Sequence, residues 1–239
     1  MSIRNLIRCA LQDVKYNRNT VLILIGTVPF FLVMSVLPLT SSTFGTWSTL
    51  HEFILSFRFE FFYSPLFILL LGSLTNLNDW ILVRKYDRRE HIAVYDIVLV
   101  LVTAAIFTFI VFGFGFLIYA VIKFLIYPRF PGYSAIFHYH PEQIEYHAVS
   151  LFILLFYLML SLIGLFFVLL NGVTKQNILA ASLVIVLIVI DRFSLSIIPI
   201  IFTFGYFNFP FQCISGLLLF IFLLSILARV QLKNKDFLQ

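Results

Sequence analysis

The sequence predicts an all-α, polytopic membrane protein. It has six transmembrane helices, an N-terminal amphipathic interface helix, and a re-entrant outer hairpin between spans five and six. Three observations carry this. Apolar residues make up 62% of the chain and charged residues 11%, against about 45–50% and about 25% in soluble domains. Uncharged runs recur at a length of about 20 residues, enough to cross about 30 Å of hydrocarbon. The basic residues gather in the short segments between those runs, as expected when one membrane face retains Lys and Arg.

Residues 1–19 read as an amphipathic helix before any span. Ile3, Leu6, Ile7, Leu11 and Val14, with Ala10, recur at helical spacing, and Arg4, Arg8 and Gln12 share another face. Such a helix lies in the bilayer interface with its basic residues towards anionic headgroups. A loose basic tail is the plainer alternative. Arg4, Arg8, Lys15 and Arg18 spread through this segment without a small-residue cleavage site after the first apolar run, so no removable signal is expected.

The first span is Thr20–Leu39, bent or ended by Pro29 and Pro38. Residues 40–52 form an outer loop in which Trp47 suits the interface. The second span runs from about Phe53 to Leu77, with Arg58 and Glu60 at its outer end. The loop from Asn76 to Asp96 is the most highly charged stretch of the chain. It sets Arg84, Lys85, Arg88 and Arg89 against Asp79, Asp87 and Glu90. Asp87-Arg88-Arg89-Glu90 has capping-box-like spacing, which predicts a bend and then a short helix feeding the next span. An ordinary solvated turn is the competing reading.

Ile97–Ile122 is the third span, Lys123–His147 a polar outer loop, and Ala148–Leu170 the fourth span. Asn171–Asn177 reads as a tight turn. The fifth apolar run begins at Ile178 and meets Asp191-Arg192. Phe193–Phe211 is apolar but carries Pro199, Gly205 and Pro210, and Gln212–Ala228 is the sixth span. With both termini inside, twelve of the sixteen basic residues fall on the inner face, and Arg58, Lys123, Arg129 and Arg192 fall outside. A complete extra crossing by 193–211 would carry Arg229, Lys233 and Lys235 outside, against that bias. The segment is therefore expected to enter the outer leaflet and return, which requires protein or a water-filled cavity around its broken backbone. The whole chain forms one transmembrane domain.

Chemistry-bearing motifs are few. No GxxxxGK[ST] loop, GxSxG or HExxH occurs, and Gly113-Phe114-Gly115 lies inside an apolar span. His138, His140 and His147, with Glu142 and Glu145, form the one metal-like set. Pro141 interrupts it and the spacing is not helical, so an ordinary polar loop is the preferred reading over a metal site. Cys9 and Cys213 fall on opposite faces and cannot pair. Arg58–Glu60 and Asp191–Arg192 read as neutralising pairs at span ends or as the edge of an outer vestibule. The middles of spans one, three, four and six carry no ionisable relay, which argues against a proton-driven carrier. The net charge of +5 reflects sorting across a membrane and implies no nucleic acid.

An interface helix, six spans with both ends inside, a charged inner bend and a broken outer hairpin together resemble the membrane subunit of an ABC-2 type exporter. Short bacterial permeases for peptide or bacteriocin export or immunity are the nearest in size. The resemblance covers the whole chain and rests on layout. It implies that Lys85, Tyr86, Asp87, Arg88, Arg89, Glu90 and His91 dock on a separate ATPase, which holds the ATP and magnesium. It also implies pairing with a second permease copy or paralogue in the plasma membrane. The spans offer little charged lining, so an amphipathic or apolar cargo is expected. A metal-dependent membrane enzyme using the His138–His147 loop, and a non-transporting immunity or scaffold protein, are the alternatives.

The topology is checked by single-cysteine labelling with an impermeant reagent. A cysteine at Ile136 should react from outside intact cells and one at Arg88 should not. Outside labelling at Arg88 would invert the arrangement.

Overall fold

The computed structural model describes residues 3–17, 26–27, 58–75, 89–121, 146–202 and 209–233. These residues are helical apart from short connections. Helix α1 is Ile3–Tyr16, α2 is Phe59–Thr75, α3 is Arg89–Val121 and α4 is Tyr146–Thr174. Helix α5 is Asn177–Ile190, prolonged by a π-helical turn over Asp191–Leu195. Helix α6 is Ile197–Ile200 and α7 is Pro210–Lys233. Among the described residues four helices are long and apolar enough to cross a membrane: α3, α4, α5 with its π turn, and α7. Helix α2 is apolar but shorter. The first span expected from the sequence lies outside the described residues except at Gly26 and Thr27.

Helix α4 is the centre. It packs against α2, α3, α5 and α7. Of its span 61% is buried, against 28% for α5 and 11% for α7. All three spans are apolar enough to cross a membrane, so apolar character does not distinguish them. What separates them is placement, with α4 surrounded by protein and α7 on the margin. Leu218, Leu219, Phe220, Phe222 and Leu223 of α7 are exposed, as suits an apolar solvent.

Close approach at the centre depends on Gly164. A Cβ there would lie 2.6 Å from Cγ1 of Val100 on α3, 3.0 Å from Cδ1 of Leu71 and 3.1 Å from Cε1 of Phe67 on α2. In a membrane the helices gain nothing by escaping water, so dispersion contacts of this kind hold them together. Around this point Phe67 and Phe107 approach with ring centroids 5.6 Å apart. One or two turns along α4, Phe156 receives Phe59, Tyr63 and Phe112, all near edge-on.

Two connections differ from the sequence reading. Helix α4 continues through Asn171–Thr174, so the tight turn is confined to Lys175 and Gln176. Lys175 takes a left-handed conformation, and its N–H bonds the Asn171 carbonyl. Continuing the helix keeps the backbone groups of Asn171–Thr174 satisfied within the segment. The charged loop likewise does not lead into a separate short helix. From Arg89 the helix runs unbroken into the third span, because no proline or glycine occurs before Gly113.

Gly164→Leu should lower the melting temperature of the purified protein strongly, since it overpacks three helices at once. Gly164→Ala and Val100→Ala should show a favourable coupling of about 1 kcal/mol or more in a double-mutant cycle, because the second change removes the methyl that the first collides with. Simple additivity in thermal unfolding would contradict the packing.

Candidate functional site

Helix α2 begins in a π-helical turn over Phe59–Tyr63, and Pro65 explains it. Proline has no N–H and its ring crowds the carbonyl four residues back. The Ser64 N–H instead reaches back five residues to the Phe59 carbonyl. A second π turn, opening on Asp191, covers Asp191–Leu195 at the end of α5. It closes at Ser196, which is left-handed with φ 54°. Both carboxylate oxygens of Asp191 are used there, Oδ1 accepting from the Ile197 N–H at 3.0 Å and Oδ2 from the Ile198 N–H at 2.9 Å. Asp191 thus caps α6 across the break. Turns of this kind are frequent at functional sites.

The two π turns meet. Nη1 of Arg192 lies 3.6 Å from Oε2 of Glu60. Glu60 is buried at 2% exposure, while the Arg192 side chain is 32% exposed. One of the two sequence readings paired Arg58 with Glu60 and Asp191 with Arg192; the other set them at an outer vestibule. The structure pairs Glu60 with Arg192 between helices and turns Asp191 onto backbone. Residues one or two apart on a helix point in different directions, whereas Glu60 and Arg192 face one another. Neither oxygen of Glu60 accepts a hydrogen bond among the described residues, and the buried Ser64 hydroxyl one turn away also lacks a partner there. Beyond the break the chain turns inward. Phe202 is buried with its ring 4.8 Å from Phe59 and 5.8 Å from Phe152.

A second polar group lies about 20 Å away along α2. The Tyr95 hydroxyl on α3 donates to Oδ2 of Asp13 on α1. Asn17 Nδ2 donates to Ser73 Oγ at 3.3 Å, and Asn177 Nδ2 to the Gly72 carbonyl at 3.4 Å. Leu6, Ala10 and Val14 of α1 are buried, as are Ile92, Ala93 and Tyr95 of α3, and the two helices pack together. Of the apolar stripe proposed for the bilayer interface, Leu6 and Val14 are therefore buried in the protein. Ile7 and Leu11 stay exposed beside Arg4, Arg8 and Lys15. Ile3 is the first helical residue.

Of the proposed ATPase-docking residues, Arg89, Glu90 and His91 form the first turn of α3. Lys85, Tyr86, Asp87 and Arg88 lie outside the described residues, as do Gly205, His138 and His140. His147 is the second residue of α4, and no group of metal-ligating side chains occurs among the described residues. Pro199 sits within the first turn of α6, where a missing N–H is tolerated, and Pro210 opens α7. Among the described residues of 193–211 the helix therefore breaks at Ser196, a residue the sequence reading passed over. Pro65 was the missed signal for the first π turn. The pairing of Glu60 with Arg192 spans more than a hundred residues and has no local signature.

Comparison of the chain with protein-family models, curated proteins and solved structures gave no match. What the fold defines is a helical membrane protein with an ion pair between two distorted helix ends, its carboxylate buried and its guanidinium partner one-third exposed.

Tyr95→Phe should loosen α1 without disturbing α4. A hydrogen bond to a charged group contributes about 1.5–3 kcal/mol, so amide exchange over residues 3–17 should accelerate by about tenfold or more. Unchanged exchange would show that apolar packing alone holds the helix.

Proposed function

We propose that this chain is the membrane-spanning permease subunit of an ABC-type exporter, driven by ATP hydrolysed on a separate ATPase subunit. The observation that supports it best is the continuity of α3. This helix starts in the charged loop at Arg89 and runs through 33 residues to Val121. That is a rigid rod of about 50 Å, longer than the hydrocarbon core. Its first turns are clasped by α1 through packing and the Tyr95–Asp13 bond. A push on the loop would therefore reach the interior of the bundle as movement of one body together with its brace. The absence of any phosphate-binding loop from the sequence agrees with energy supplied by a partner.

On this reading the chain crosses the plasma membrane six times, with both termini and residues 78–95 in the cytoplasm. It works beside a second permease copy or paralogue. Residues 193–211 form an outer re-entrant hairpin that roofs the path between the two copies, with Pro199, Gly205 and Pro210 in it. The inward turn at Ser196 and the burial of Phe202 agree with such a hairpin. The cargo is amphipathic or apolar.

Arg88→Glu combined with Arg89→Glu should weaken ATPase binding through like-charge contacts or lost ion pairs. The fold should survive, because both residues precede the buried part of α3. Co-purification with the ATPase and ATP turnover by the complex are the readouts. Wild-type values for both would remove the assignment.

A further inference from the structure

We infer that Glu60 is the receptor for an ammonium group on an amphipathic ligand, and that the Arg192 guanidinium fills its place when no ligand is bound. The binding itself stands without the permease reading. That the ligand is cargo rests on it.

Glu60 is short of donors. A carboxylate offers about four lone-pair sites, and a buried polar group that leaves them unused carries a free-energy penalty. Its partner is 3.6 Å away, beyond the usual 2.7–3.2 Å of an N–H···O bond. The Ser64 hydroxyl, buried one turn further along the same helix, is equally unserved among the described residues. The Glu60 oxygens and the Ser64 hydroxyl thus accept no hydrogen bond among the described residues, and a ligand gains by bringing N–H groups to the carboxylate.

Arg192 shows where the ligand would sit. Its side chain reaches a carboxylate that is almost wholly buried while remaining one-third exposed itself. It therefore approaches Glu60 from an open side. The volume held by the guanidinium is the volume an ammonium would take, so no further cavity is needed. An ammonium carries three donors on a compact head and can come closer than the guanidinium does. The chain that follows Arg192 is apolar and exposed: Phe193 is 77% exposed, with Leu195 and Ile197 also exposed. A head that pairs with Glu60 would leave its hydrocarbon tail along these residues. A quaternary ammonium has no N–H to give, and an anionic head would be repelled by the carboxylate. Asp191 does not compete, because both its oxygens are bonded to backbone.

Two sources offer this chemistry, the amino terminus of an apolar peptide and the amine headgroup of a lipid. The test uses the purified full-length chain in detergent, with binding followed by isothermal calorimetry. Dodecylamine should bind, with dodecanol and dodecyltrimethylammonium weaker by about tenfold or more, the worth of a charge-assisted hydrogen bond. Arg192→Gln removes the resident cation and should tighten dodecylamine binding several-fold. Glu60→Gln should abolish the preference for the amine. A preference for phosphatidylethanolamine over phosphatidylcholine would identify the lipid source. A preference for an apolar peptide with a free rather than an acetylated amino terminus would identify the peptide source. Equal binding of amine and alcohol, unchanged or weaker binding in Arg192→Gln, or neither source preference would overturn the inference. None of these readouts involves an ATPase. Failure here with intact ATPase coupling at Arg88 and Arg89 would sink the ammonium site alone, and the reverse pattern would sink the permease reading alone.

Discussion

Everything in the described bundle depends on how closely three helices approach at Gly164. A single missing Cβ lets α4 sit against Val100 of α3 and against Leu71 and Phe67 of α2. The aromatic set around Phe156 is the consequence, since rings from α2 and α3 can converge on one side of α4 only when the backbones are near. In lipid, where apolar surface has no reason to hide, shape matching of this kind replaces the hydrophobic effect as the organiser. The positions of Glu60 and Tyr95 follow from it, because each lies on a helix whose place is set at the crossing.

The distortions at the helix ends have separate causes but a common result. Pro65 removes a donor and opens the backbone of α2. Ser196 enters the left-handed region and ends the α5 rod, and Asp191 satisfies the two N–H groups exposed by the break. A wider turn shifts the direction of the side chains it carries. Glu60 and Arg192 are thereby brought face to face, where regular helices would have carried them round to other neighbours.

The sequence was most legible where physics is one-dimensional. Helical class, membrane character and the limits of the long apolar runs follow from hydropathy and length, and α3, α4 and α7 lie close to where those runs were drawn. Polarity along a run says nothing of which side meets which neighbour. Leu6 and Leu11 look alike in the periodic pattern of α1, yet the first is buried against protein and the second is exposed. The Glu60–Arg192 pair was missed for the same reason, since local neutralisation was the only pairing a linear reading could offer. The prolines in 193–211 pointed to a break somewhere in that segment, but among the described residues the break falls on a serine whose conformation is stabilised by an aspartate five residues earlier.

The unequal burial of α4 and α7 has a consequence for how this chain can change over time. On the exposed face of α7, exchanges among Leu, Ile, Val and Phe alter only which hydrocarbon meets the lipid, so its letters there are nearly interchangeable. Its inner face is less free: Leu217 and Ala228 are buried, and Gln231 is tied to the Leu169 carbonyl over Gly172. On α4 the same exchanges would strike several neighbours together. Descendants of this sequence should therefore preserve their composition long after they lose recognisable identity, and the surviving trace of common ancestry would be a sparse set of small residues and ring pairs spaced along one helix.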